Sequence, residues 1–120
     1  MKKIDLRSDT VTLPSTEMRQ SILNAQLGDD VFQEDNDVNL LESKAAKLSG
    51  KDAALLVPSG TMGNLVSFLA HCPRGTEAIL GNKSHTFTYE AGGISAFGGI
   101  HSHQLHNEED GTINISSIKN

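Results

Sequence analysis

At 120 residues the chain has room for one small domain, and its 37% hydrophobic content with eleven glycines and three prolines excludes a disordered polypeptide. A formal net charge of −5 argues against a nucleic-acid partner and against an anionic membrane surface, and no basic run is longer than Lys2-Lys3. Nothing approaches the roughly 20 apolar residues of a membrane-spanning helix. The opening residues Ile4-Asp5-Leu6-Arg7-Ser8-Asp9 carry no apolar signal core. The single cysteine, Cys72, falls on the apolar face of an expected helix. A buried, reduced thiol and a cytoplasmic location are therefore expected.

Taken in chain order, the pattern alternates helices with short apolar strands. Ser15 is placed to cap a helix over 16–27, with Met18, Ile22 and Ala25 on one face and Gly28 as terminator. A polar turn over 28–36 follows. Asp37 is the expected cap of a second helix with apolar positions Val38, Leu41, Ala45 and Leu48, ended by Gly50. The run Ala53-Ala54-Leu55-Leu56-Val57 predicts a buried strand. A third helix carries Leu65, Phe68, Leu69 and Cys72 at i, i+3, i+4 and i+7, and Pro73-Arg74-Gly75 breaks it. Ala78-Ile79-Leu80 predicts another short strand, and a helix from His85 is expected to reach Gly92-Gly93. A strand over 100–105 and the start of a helix over 113–120 complete the series. Continuous apolar strands separated by helices indicate an α/β fold with a mainly parallel sheet. The last helix reads as cut off before any terminator, so the chain is expected to be a fragment of a longer protein, with apolar faces and a sheet edge left open.

The segment with most chemistry is Pro58-Ser59-Gly60-Thr61-Met62-Gly63-Asn64, between the expected strand over 53–57 and the third helix. The first turn of a helix has N–H groups without intrahelical acceptors and the positive end of the helix dipole. Gly60 permits close approach of a ligand to the backbone, and Thr61 adds a hydroxyl donor. Together these make an anion cradle. Alone, the segment reads more readily as an ordinary capped strand-to-helix turn, and the residues around it decide.

His85 follows a strand, at the carboxyl end where open α/β sheets bind ligands, although a solvent-facing loop histidine has the same signature. Glu90 lies at i+5 from His85, too offset to face it on a regular helix, and reads as a surface acid. His101, His103 and His106 form H-x-H-x-x-H, with two on one strand face, but no Asp, Glu or Cys has a supporting spacing, so no metal is expected. The acidic turn at 29–37 lacks the order of a calcium loop. Neither G-x-G-x-x-G nor a lysine after the cradle glycine is present, which removes the dinucleotide and nucleoside-triphosphate fingerprints.

As a set, Asp5-Leu6-Arg7-Ser8-Asp9-Thr10-Val11-Thr12, Gly28-Asp29-Asp30-Val31-Phe32, Glu34-Asp35, the cradle segment and Glu90-Ala91-Gly92-Gly93 resemble the N-terminal part of the low-specificity L-threonine aldolases. These are fold-type I enzymes that use pyridoxal 5′-phosphate (PLP). The resemblance runs over essentially the whole chain in order and spacing. It implies a three-layer, PLP-dependent-transferase-like large domain with a mixed, mostly parallel sheet, truncated here. Residues 1–120 would be its N-terminal segment, without the rest of the large domain or the C-terminal small domain. It also implies a homo-oligomer, dimer or tetramer, with active sites at subunit interfaces.

The reaction implied is aldol cleavage of L-threonine or L-allo-threonine to glycine and acetaldehyde. By the same resemblance Gly60, Thr61 and the Met62 N–H would hold the cofactor phosphate. His85 would stack on the pyridine ring and help to take the β-hydroxyl proton. Ser8 would bind the substrate carboxylate. Phe32 stands where relatives usually carry a tyrosine, so ring packing could survive without a phenolic OH. Glu90 matches the family pattern and would stand behind the residues that touch cofactor and substrate. None of the seven lysines, Lys2, Lys3, Lys44, Lys47, Lys51, Lys83 and Lys119, stands in the family's Schiff-base context. That lysine, the aspartate for the pyridine nitrogen and the arginine for the carboxylate are expected beyond Asn120. Two alternatives share the cradle: another fold-type I PLP lyase, β-eliminating or alanine-forming, and a non-catalytic module that binds a phosphate ligand such as a sugar phosphate.

Overall fold

The computed structural model describes residues 4–119. The Lys2-Lys3 pair and Asn120, at the end of the expected last helix, lie outside the described residues. The chain forms two compact units, one up to Leu56 and one from Val57 onward.

The first unit is helical. Ser8 caps a 3₁₀ turn, Asp9–Val11, and α1 (Thr16–Asn24) starts where Ser15 Oγ accepts the Met18 N–H at 3.2 Å. The helix stops at Ala25 rather than running to 27, and Gly28 has a different task from terminating it. A Cβ on Gly28 would collide with the Glu34 carbonyl, so glycine is needed for two backbone segments to pass in contact. A second 3₁₀ turn, Asp30–Phe32, is capped by Asp29. α2 (Asn36–Ser49) is capped by Asp35, whose Oδ1 accepts the Asp37 and Val38 N–H groups at 3.0 Å each. The expected cap, Asp37, falls instead in the first turn, where its charge still complements the helix dipole. Gly50 ends the helix in the left-handed conformation, φ 65°, as its position predicted.

The second unit holds the sheet. α3 (Gly60–His71) precedes β1 (Glu77–Gly81); two short helices, α4 (His85–Thr88) and α5 (Gly93–Ala96), lead to β2 (His101–Leu105). The strands pair in parallel, with Glu77 opposite His101 and Gly81 opposite Leu105. Ala78 and Leu80 on one face of β1 join Ile94 and Ile100 in the buried core, against which Leu65, Phe68 and Cys72 of α3 and its end pack. Cys72 is a free thiol but only half-buried, not enclosed as expected. The opposite sheet face carries Glu77, Ile79, His101 and His103. α6 (Ile115–Lys119) begins where Asn114 Oδ1 accepts the Ser116 N–H at 2.9 Å.

Two expected elements do not form. Residues 53–57 pair with no strand among the described residues, and Leu55 is 73% exposed. Apolar composition favours a strand, but a strand exists only with a hydrogen-bonding neighbour. The helix expected from His85 to Gly92 ends after Thr88: Tyr89 leaves the helical region, at φ −124° and ψ 1°, and Ala91 and Gly92 follow in the left-handed region, at φ 52° and 67°. The observed architecture is thus α/β, with a two-stranded parallel sheet and helices on its apolar face.

Candidate functional site

The site is assembled at the carboxyl end of β1 and the start of α3. Ser59 shapes the helix start, its Oγ accepting the Met62 N–H at 3.1 Å and its carbonyl accepting the Gly63 N–H at 3.0 Å. Among the described residues the Gly60 and Thr61 N–H groups and the Thr61 hydroxyl have no acceptor or donor. A methyl on Gly60 would meet no atom within 4 Å, so the space beside these donors is open. This first turn suits an anion in both shape and polarity. The Met62 N–H donates to Ser59 in this structure, so the donors without an acceptor among the described residues are Gly60 and Thr61.

His85 is set by the loop that follows β1. Asn82 and Asn107 brace that loop: Asn107 Oδ1 accepts the Lys83 N–H at 2.8 Å, and Asn82 Oδ1 accepts the Asn107 N–H at 3.1 Å. Gly81 leaves room for this, since a Cβ there would strike the Asn107 amide. Ser84 then caps α4, and His85 is its first residue.

Glu90 is not the surface acid its spacing suggested. With α4 ended at Thr88, the chain doubles back and the Glu90 side chain is only 3% exposed. Its Oε1 lies 2.8 Å from His85 Nδ1 and 2.6 Å from Asn64 Nδ2. A carboxylate at this place can accept from both, and a proton on His85 Nδ1 would meet it while leaving Nε2 without one. The imidazole is 61% exposed, and the Tyr89 ring tilts against it with centroids 5.3 Å apart. Asn64 was quoted in the cradle motif without a role. Nothing in the local pattern joins it to a glutamate 26 residues later.

The remaining candidates are placed as follows. Ser8 and Phe32 belong to the first unit: Ser8 Oγ accepts the Thr10 N–H at 3.3 Å, and Phe32 ends its 3₁₀ turn with the ring 73% exposed. Lys83 is exposed in the loop after β1. His101 and His103 do have a neighbouring carboxylate, contrary to expectation, because parallel pairing brings Glu77 across from them. Glu77 Oε1 lies 3.1 Å from His103 Nδ1, and Oε2 lies 3.9 Å from His101 Nε2. No group of three or more His, Cys, Asp or Glu among the described residues is arranged to hold a metal ion. No described helix is long and apolar enough to cross a membrane.

Comparison with known proteins agrees with this architecture. The chain is 52% identical over 120 residues to "Low-specificity L-threonine aldolase 1" of Arabidopsis thaliana, covering 99% of this chain and 34% of that protein. It is 46% identical over 115 residues to the Escherichia coli (strain K12) "Low specificity L-threonine aldolase", covering 96% of this chain and 34% of that protein. The Saccharomyces cerevisiae protein of the same name is 40% identical over 92 residues, covering 76% of this chain and 24% of that protein. The chain thus spans about a third of the length of the first two relatives. The family model described as beta-eliminating lyase matches residues 5–120. By that match, which takes in nearly every residue, the chain belongs to the beta-eliminating lyase family.

Proposed function

We propose that the chain is the N-terminal segment of the PLP-binding large domain of a threonine aldolase, one that cleaves L-threonine or L-allo-threonine to glycine and acetaldehyde. The fold would be the three-layer fold-type I arrangement. The protein would work as a homo-oligomeric cytoplasmic enzyme with its sites at subunit interfaces. The observation that carries this reading is the histidine held by a buried carboxylate beside an open helix start: Glu90 on His85, with Gly60 and Thr61 presenting free donors.

The residues present fit the cofactor. Two unpaired backbone donors, a hydroxyl and open space at Gly60 suit a phosphate dianion, and no basic side chain is needed because the helix dipole favours negative charge. When bound, PLP supplies an electron sink for the pair released as the Cα–Cβ bond breaks. Everything else falls to the protein. Gly60 and Thr61 would anchor the phosphate and fix the distance of the ring from α3. His85 would lie on that ring and accept the substrate's β-hydroxyl proton at Nε2, the nitrogen Glu90 leaves free. Glu90 would then stabilise the resulting imidazolium. Ser8 would hold the substrate carboxylate, and the Phe32 ring would line the site without a phenolic proton to give.

The test uses the purified full-length protein. A visible cofactor absorbance that borohydride bleaches, with threonine-dependent release of acetaldehyde and glycine, supports the reading. A β-eliminating lyase is the second reading, favoured by the description of the family model. It would instead release a 2-oxo acid and ammonia from a substrate with a β leaving group, leaving threonine intact.

A further inference from the structure

We infer that Asn64 is a positioning residue for His85, acting through Glu90 from the same helix that forms the phosphate cradle. The inference rests on the threonine aldolase reading for its consequence in turnover. Its geometry stands by itself.

The imidazole is mostly exposed, so its own packing does not fix it. What fixes it is the Glu90 carboxylate, and a glutamate has three side-chain torsions to settle. One hydrogen bond to a loosely packed ring cannot settle them. The second bond, from Asn64 Nδ2 at 2.6 Å to the same Oε1, comes from a half-buried residue of a twelve-residue helix. Asn64 therefore determines which carboxylate oxygen meets His85 Nδ1. The nitrogen that faces a carboxylate keeps its proton, and the other is left as the base. Only the amide NH₂ of Asn64 can face Glu90, so the pairing has one orientation.

The placement also links two functions. Gly60 and Thr61 open α3, and Asn64 lies one turn further along, about 5–6 Å up the axis. One rigid element thus holds the anion donors at its tip and the Glu90 anchor on its side. A ligand seated on the tip is registered against His85 through Asn64 and Glu90.

The experiment is a double-mutant cycle in the full-length holoenzyme with ¹⁵N-labelled histidine. Asn64→Leu removes the donor at similar volume, and Glu90→Gln removes the charge through which it acts. With Asn64→Leu, bound cofactor absorbance should persist while kcat for threonine cleavage falls about ten- to hundredfold, the fold-change of a lost hydrogen bond to a charged group. In the Glu90→Gln background the same change should cost less than about threefold. The ¹⁵N shifts should report a single Nδ1–H tautomer of neutral His85 in the parent and a mixture in Asn64→Leu. Asn64→Ala provides the same reading should the leucine variant fail to fold. A single unchanged tautomer, or an equal loss in both backgrounds, overturns the role of Asn64. Absence of threonine cleavage in the parent overturns the aldolase reading alone, since the tautomer measurement needs no turnover.

Discussion

His85 Nδ1 and Glu90 Oε1 stand 2.8 Å apart because the helix that begins at His85 stops after one turn. A continuous helix would carry residue i+5 well round its circumference. Here the backbone leaves the helix at Tyr89, ahead of the glutamate, and the carboxylate is buried beneath an exposed ring. The histidine is thus mostly exposed and anchored at Nδ1, an arrangement that suits a general base.

Replacing His85 with asparagine tests that assignment. The variant should retain cofactor absorbance in the full-length enzyme and lose about 10²–10⁴-fold in turnover, the usual range for general-base removal. A near-normal rate would leave His85 with a packing role only.

The turn that brings Glu90 home stores strain at Ala91. A Cβ at φ 52° meets the carbonyl oxygen, at a cost of about 1–2 kcal/mol for an L-residue. Ala91→Gly relieves it and costs part of that in unfolded-chain entropy, for a net gain of about 0.5–1 kcal/mol. A urea midpoint that moves downward in this variant would show that the left-handed turn carries no strain.

Much of the local chemistry was legible in the sequence, although the cap of α2 is Asp35, two residues before the expected Asp37, and α1 stops short of Gly28. Ser15 caps the helix it precedes, Gly50 closes α2, and the segments after Thr76 and Gly99 form the expected parallel pair. The other failures depended on distant residues. The run over 53–57 has strand composition but no partner to pair with among the described residues. Glu77 meets His101 and His103 only through the strand register, and Asn64 meets Glu90 across 26 residues. The burial of Glu90 goes with the early end of α4 at Thr88, which the i+5 spacing from His85 does not carry. The expected roles of Ser8 and Phe32 came from family resemblance, not from any local pattern.

The cradle is tested at Thr61. Thr61→Val keeps the shape and removes the hydroxyl, so cofactor affinity should fall by ~1.5–3 kcal/mol, one hydrogen bond to a charged group. An unchanged PLP dissociation constant would take the Thr61 hydroxyl out of the cradle, leaving the two amides.

Near the N-terminus Arg7 grips Asp5 through both carboxylate oxygens, Nε to Oδ1 at 2.9 Å and Nη2 to Oδ2 at 2.6 Å. The Arg7 guanidinium holds the Asp5 carboxyl below its ordinary value. A depressed carboxylate contributes stability that is present above its unfolded value and is lost as pH falls through the lower folded one. Carboxyl ¹³C titration should place Asp5 below the usual range, and Arg7→Gln should bring it back. Coincident titrations in the two proteins would mean that the pair is fully solvated.

The final prediction is that residues 1–120 alone cleave no threonine. Under the proposed chemistry a lysine must carry the cofactor and take it back after each turnover. Of the lysines within the described residues, Lys44 and Lys47 lie on α2, Lys51 follows it, Lys119 lies on α6, and Lys83 is an exposed loop residue. Within the unit that carries the Gly60–Thr61 donors, Lys119 lies on the last helix and Lys83 precedes the histidine that would cover the ring. The sheet has a second difficulty. Ile79 points to the face away from Ala78 and Leu80 and is 42% exposed, and each strand is paired along one edge only among the described residues. Two parallel strands open in this way favour association over a precisely held site. The isolated polypeptide with added PLP should therefore give no acetaldehyde above a PLP-only control, and it should run as oligomer or aggregate in size-exclusion chromatography. Threonine-dependent acetaldehyde from a monodisperse 120-residue polypeptide would overturn both the assignment of the missing lysine and the reading of this chain as a segment.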